Sequence, residues 1–181
     1  MKKKLTILLL ITAVVLVQLN IMNFLGHFFG YFNLLLIALV LTLLFSTLKN
    51  TLISAVLAGF FLDLYSGLNF GLYLISLFLM IIFVYYFFQK YITNRSLFSF
   101  VLLALVSTLL FYSILGLFSI FLYYFNLADH AILLNKNYLL LMFFQALANS
   151  FFVGAVYILL NYFSNKFKSN FIFKDTFHGK T

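Results

Sequence analysis

Long runs of apolar residues follow one another along the chain, and short polar or basic segments separate them. The first run covers residues 4–24 and the second covers residues 28–48, and a helix needs about 20 residues to cross the hydrocarbon of a bilayer. Neither run shows the alternation of apolar and polar residues that marks the strands of a membrane β-barrel. The pattern therefore predicts an all-α fold, that of a polytopic integral membrane protein.

The third apolar run, residues 51–88, contains a single charged residue, Asp63. One straight helix of that length would measure about 57 Å, nearly twice the thickness of the hydrocarbon. Gly and Asn cluster within residues 66–71, a composition typical of a turn. We therefore expect two helices, residues 51–65 and 70–88, joined by a glycine-containing break.

Two further apolar runs, residues 97–125 and 138–163, complete a set of six predicted transmembrane helices. The residues after the first run lack the small-residue cleavage pattern of a signal peptide, so we expect that run to remain as the first span. We predict one transmembrane domain, residues 1–163, and a basic tail, residues 164–181, which is too short to form a core of its own.

The distribution of charge supports this division of the chain. Eleven Lys and Arg residues exceed three Asp residues, which gives a net charge of +8. With six spans and a cytoplasmic N-terminus, ten of the eleven basic residues lie inside and Lys136 lies outside; with residues 51–88 as one span, five would lie inside and six outside. Because cytoplasmic loops are enriched in Lys and Arg, the charges predict six spans with both termini in the cytoplasm.

The composition excludes a water-soluble enzyme and several kinds of chemistry. Only 8% of the residues are charged and the mean hydropathy is +1.17, whereas about 25% are charged in a typical soluble domain. The chain has no Cys and no Glu, and no phosphate-binding loop or hydrolase motif. The titratable candidates are scattered: Asp63, Asp129 and Asp175, with His27, His130 and His178. We expect no enzymatic activity and no metal or cofactor, and the lysines indicate topology rather than nucleic-acid binding.

Two polar residues within the predicted spans need partners. Asp63 is the only ionisable residue inside a span, and an intramembrane carboxylate is a candidate for a functional site, for example in proton or ion handling. Asp63 also lies just before the break, where its oxygens can accept backbone N–H groups of the turn, and we favour this capping role. Gln18 lies deep in the first span, so we expect it to face the bundle or another chain.

Small residues with helical spacing predict seams where membrane helices pack closely. These positions are Ala55 and Gly59 in the third span and Ala146, Ser150 and Gly154 in the sixth, with Asn149 beside them. We expect them to hold the bundle together, although a partner protein could use the same seams.

The segment 58–72 resembles the central signature of the MreD family, the rod-shape-determining membrane proteins. The resemblance is carried by a Gly, an Asp four residues later, a Ser-Gly turn and a further Gly that opens the next span: Gly59, Asp63, Ser66, Gly67 and Gly71. Leu16-Val17-Gln18 in the first span and residues 33–37 in the second are both similar to the family pattern. The family's Pro is replaced by Phe32.

The resemblance implies a role that composition does not indicate. It implies a non-enzymatic scaffold subunit of the bacterial cell-elongation complex, placed in the cytoplasmic membrane and acting in peptidoglycan synthesis. The implied partners are MreC, RodA, a penicillin-binding transpeptidase and, indirectly, MreB filaments, together with the lipid bilayer. The signature positions carry over without any catalytic role.

A transporter subunit is the alternative, namely the substrate-binding S component of an energy-coupling-factor vitamin transporter, which has a similar size and six helices. Such a protein lines a pocket with convergent polar groups. The predicted outward loops of this chain are short and poor in such groups, which favours the scaffold hypothesis.

The topology can be tested on this Cys-free chain by introducing single cysteines and labelling them from outside. We expect labelling at Asn69 and Asn135 but not at Thr93 or Ser169, because the charge distribution places the break outside and both termini inside. Protection of Asn69 together with labelling of Thr93 would show that the predicted hairpin is wrong.

Overall fold

The computed structural model describes residues 12–18, 20, 32–91, 96–128 and 130–166. Six helices, connected by turns and irregular segments, make up this part of the chain, which confirms the predicted all-α class. They are α1 (helical in residues 12–18), α2 (Leu34–Phe45), α3 (Leu48–Ser66), α4 (Leu72–Tyr91), α5 (Leu97–Tyr124) and α6 (Lys136–Lys166).

Four of these helices, α3 to α6, are long and apolar enough to cross a membrane. In α6 the apolar portion is Lys136–Leu159. By contrast, α2 has 12 residues, or about 18 Å of helix, against roughly 30 Å of hydrocarbon. The second predicted span is therefore not a single helix that is long enough to cross the hydrocarbon.

The helix α2 begins later in the chain than predicted. The prediction placed a continuous helix over residues 28–48, but the described chain is not yet helical at Phe32 and Asn33. The Asn33 side chain accepts a hydrogen bond from the N–H of Leu36 at 3.1 Å, which makes Asn33 the N-cap of α2. An N-cap residue has non-helical backbone, so α2 begins after it.

The end of α2 corrects the other boundary. The helix ends at Phe45, and Ser46 is extended. Thr47 then begins the next helix, because its hydroxyl accepts the N–H of Asn50 at 3.4 Å. Lys49 therefore lies in the first turn of α3. The prediction that Lys49 ends the second span is wrong.

The break between α3 and α4 lies where the sequence predicted it. Gly67 ends α3 in the left-handed region with φ of 65°, and Gly71 precedes α4 with φ of 92°. Positive φ is accessible to Gly without steric conflict. α3 is four residues longer than predicted and α4 one residue longer, and the two form an antiparallel hairpin.

The second long hairpin, α5 and α6, also agrees with the sequence. α6 continues to Lys166, three residues beyond the predicted boundary at 163. The connecting segment 130–135 runs back along α5, since the N–H of Ile132 donates to the Ser119 hydroxyl at 2.9 Å. The rest of the predicted tail lies outside the described residues, as does most of the first span.

The four long helices pack in chain order, α3 on α4, α4 on α5 and α5 on α6, and α2 contacts all of them. Seven of the 12 residues of α2 are buried, over somewhat more than half of the helix circumference, and the opposite face is half-buried or, at Phe45, exposed. The buried face of α2 therefore contributes to the core that it shares with the four long helices.

Exposed tyrosines lie near the helix ends in two groups. One group is at the end of the bundle that contains residues 67–71, hereafter the turn end, and the other is at the opposite end, which carries Lys49 and Lys90, hereafter the lysine end. The members are Tyr65, Tyr123 and Tyr124 at the turn end and Tyr86, Tyr91 and Tyr162 at the lysine end. Tyr side chains favour the two interfaces of a bilayer, and here two such belts flank the apolar helices.

Candidate functional site

Asp63, the intramembrane carboxylate, caps the helix that follows the break. It lies in the last turn of α3 with 5% of its surface exposed. Its Oδ1 accepts the N–H of Tyr73 at 2.8 Å, and its Oδ2 accepts the N–H of Leu74 at 3.1 Å. These are the second and third residues of α4, whose N–H groups have no partner within the helix. The expected bonds to the backbone are present, and they go to the next helix rather than to the turn itself.

The charge of the carboxylate suits this position. The N-terminus of a helix carries a partial positive charge, which stabilises a nearby anion. Hydrogen bonds from backbone N–H groups to a carboxylate are also stronger than those to a neutral acceptor. Asp63 can thus satisfy two backbone donors with one side chain.

Gly59 lets α4 approach closely enough for these bonds to form. A Cβ atom at this position would overlap the Cα of Leu74 and lie 2.9 Å from its backbone nitrogen. Gly59 and Asp63 are four residues apart, so they lie on the same face of α3. The predicted seam at Ala55 and Gly59 is buried in the structure, and Gly59 packs against the same turn of α4 that Asp63 caps.

The turn itself completes the group of signature residues. A Cβ atom at Gly67 or at Gly71 would meet no other atom within 4 Å, so these two positions require Gly for their positive φ rather than for space. The Ser66 hydroxyl accepts the N–H of Leu68 at 3.3 Å. All five signature positions thus belong to one hairpin, in which Asp63 caps α4, Gly59 allows close packing, and Ser66, Gly67 and Gly71 form the turn.

Gln18 faces the bundle, as expected, and takes part in capping α2. Its Oε1 accepts the N–H of Leu35 at 2.7 Å, and its Nε2 donates to Asn33 Oδ1 at 3.3 Å. The N–H of Asn33 in turn donates to Asn149 Oδ1 at 3.0 Å. The buried start of α2 is therefore held by amide side chains from α1 and α6.

Asn149 extends this network into α5. Its Nδ2 donates to the Thr108 hydroxyl at 3.1 Å, and Thr108 donates to the carbonyl of Ala104 at 2.8 Å. The sequence analysis placed Asn149 beside a packing stripe and did not assign it this role. Its partner Asn33 is 116 residues away in the chain, which local sequence patterns do not reveal.

A second polar pair, Tyr112 and Gln145, lies in the same region and was missed by the sequence analysis. The Tyr112 hydroxyl donates to Gln145 Oε1, and the Tyr138 hydroxyl donates to the carbonyl of Tyr112 at 2.7 Å. Gln145 precedes Asn149 by one helical turn. An amide within an apolar span needs a hydrogen-bond partner, as Gln18 does. The sequence alone could therefore have marked Gln145 as a candidate.

The small-residue stripe of α6 packs against α5. Ala146 and Ser150 are buried, and the Ser150 hydroxyl donates to the carbonyl of Val101 at 3.4 Å. A Cβ atom on Gly154 would lie 3.3 Å from Val101 Cγ2. Both predicted seams are therefore used inside this chain.

The remaining titratable candidates do not form a site in the part of the chain that the structure describes. His130 is exposed, and its carbonyl accepts a weak bond from Asn69 at 3.5 Å. Asp129, Asp175, His27 and His178 lie outside the described residues. Within those residues, no three His, Asp or other acidic side chains lie together as metal ligands.

Comparison with known proteins adds no relative: no family model, no curated protein and no solved structure matches the chain.

The capping bonds of Asp63 predict a graded response to substitution. Asp63→Asn keeps one acceptor oxygen, so we expect it to lower the free energy of unfolding by about 1–3 kcal/mol, the cost of one unsatisfied N–H group. Asp63→Leu leaves both N–H groups without a partner and should cost roughly twice as much. Unfolding in mixed detergent micelles measures the difference, with Leu64→Ala on the exposed side of the same turn as the control.

A role in proton or ion handling would give a different result for the same variants. Only the carboxylate titrates, so Asp63→Asn would then abolish activity in cells at a normal level of folded protein, as Asp63→Leu would. That outcome would contradict the capping role.

The amide network makes a separate prediction for Asn149. Asn149→Leu removes the acceptor of the buried Asn33 N–H, and we expect the free energy of unfolding to fall by about 1–3 kcal/mol. Asn161→Leu, at an exposed position of the same helix, should change it by no more than about 0.5 kcal/mol. Equal effects of the two substitutions in a detergent unfolding assay would show that the network does not stabilise α2.

Proposed function

We propose that this protein is a membrane scaffold subunit of the bacterial cell-elongation complex, similar to MreD, that binds MreC in the cytoplasmic membrane. The observation that carries the proposal is the α3–α4 hairpin. Its five signature positions act together as a capping carboxylate, a close-contact glycine and a turn. A motif that builds a fixed hairpin suits a protein that presents a surface to partners.

The state of the buried polar groups also supports a scaffold. Both oxygens of Asp63 bind backbone N–H groups, and the amides of Gln18 and Asn149 are engaged within the bundle. A transporter subunit needs convergent polar groups that are free to meet a substrate. Polar side chains that hold helix ends together are better suited to keeping one shape.

The proposal includes six crossings with both termini in the cytoplasm. The antiparallel order of α3 to α6 places Lys49 and Lys90 at one end of the bundle and Lys136 at the other. This is the distribution that the positive-inside rule requires if the lysine end faces the cytoplasm. In this proposal α2 belongs to the second crossing.

Deletion in a rod-shaped host tests the proposed function. We expect the cells to become round and the recovery of MreC with the peptidoglycan synthesis proteins to decrease, because the scaffold that links them is missing. Wild-type protein and the Asn161→Leu variant should restore both, whereas Asp63→Leu should not. Normal rods after deletion, together with lost uptake of one vitamin, would contradict the scaffold and indicate the transporter subunit.

A further inference from the structure

The lysine end of the bundle carries positive charge that no described carboxylate balances. Lys49 lies in the first turn of α3 and Lys90 in the last turn of α4, and the antiparallel hairpin brings both to this end. Asp63 is the one carboxylate within the described residues, and it lies at the turn end. A surface with this excess charge attracts anions.

Both lysines terminate an exposed apolar stripe of their helix. Side chains three, four or seven residues apart share one face of a helix. The exposed members are Ile53, Phe60 and Leu64 on the stripe of Lys49, and Phe83 and Tyr86 on the stripe of Lys90. Each stripe therefore offers apolar surface that leads to an ammonium group, which matches a phospholipid with its acyl chains and its anionic headgroup.

The local environment of each lysine agrees with an anionic partner at the interface. Lys49 lies at the positive end of the α3 dipole, and the first turn of α3 has no acidic residue, so its charge is unfavourable there without an anion. The Lys90 ammonium lies 5.3 Å from the centre of the Tyr91 ring, and Tyr91 belongs to the tyrosine belt of this end. Lys90 thus lies beside a tyrosine of the belt, and Lys49 lies at the same end of the bundle.

We propose that the lysine end binds the headgroups of anionic phospholipids through Lys49 and Lys90, with the acyl chains along the two stripes. The charge complementarity selects an anion, and the stripes select a lipid over a soluble phosphate. This binding does not rest on the proposed scaffold function, because it depends on the charges and exposed stripes of the lysine end and not on any contact with MreC.

The test uses the full-length protein in a neutral detergent at low salt. Native mass spectrometry compares the binding of phosphatidylglycerol with that of phosphatidylcholine, which has no net charge. We expect Lys49→Gln/Lys90→Gln to weaken the preference for phosphatidylglycerol about 25-fold, at about five-fold for each lysine near the surface. Lys49→Arg/Lys90→Arg keeps both charges and should keep the preference.

Two controls separate this site from general attraction. Lys136→Gln removes a lysine that also lies in the first turn of a helix, but at the turn end, and it should leave the tightest phosphatidylglycerol binding unchanged. Inorganic phosphate in millimolar excess should not displace the lipid. The proposal is wrong if the double Gln variant retains the preference, if Lys136→Gln lowers it equally, or if phosphate displaces the lipid.

Discussion

Backbone polar groups inside a bilayer must find partners within the protein, because the hydrocarbon offers none and each unsatisfied group costs several kcal/mol. In the described part of the chain, two helices begin at buried places, α2 and α4. At each place the N–H groups of the second and third helical residues are bound by side-chain oxygens. The positions of Asp63, Gln18 and Asn33 follow from this requirement.

The two caps solve the same problem with different chemistry. At α4 a single carboxylate accepts both N–H groups, which works because Gly59 removes the side chain that would hold the helices apart. At α2 the acceptors are neutral amides: Gln18 from α1 and Asn33 itself, with Asn149 of α6 binding the N–H of the cap residue. The carboxylate cap joins neighbours in the chain, whereas the amide cap joins elements that are far apart in sequence and thereby fixes α2 among the long helices.

This difference explains what the sequence could predict. The α3–α4 break, its glycines and the capping role of Asp63 were predictable, because the partners lie within 11 residues and leave a local pattern. The short α2 was not predictable from hydropathy, since its apolar run looks the same whether it crosses lipid or fills a core. Gln145 and Tyr112 were missed because a single polar residue in an apolar run does not reveal which helix supplies its partner.

Caps that come from another helix also couple helix ends to tertiary structure. If α1 or α6 moves away, the start of α2 loses an acceptor, and no water is present to replace it. The helices are therefore held in one arrangement by the same bonds that permit the interruptions. Because α2 contacts all four long helices, a shift at its start would disturb the packing of the whole bundle. The bonds that cap the helix ends thus also hold the helices in their positions relative to one another.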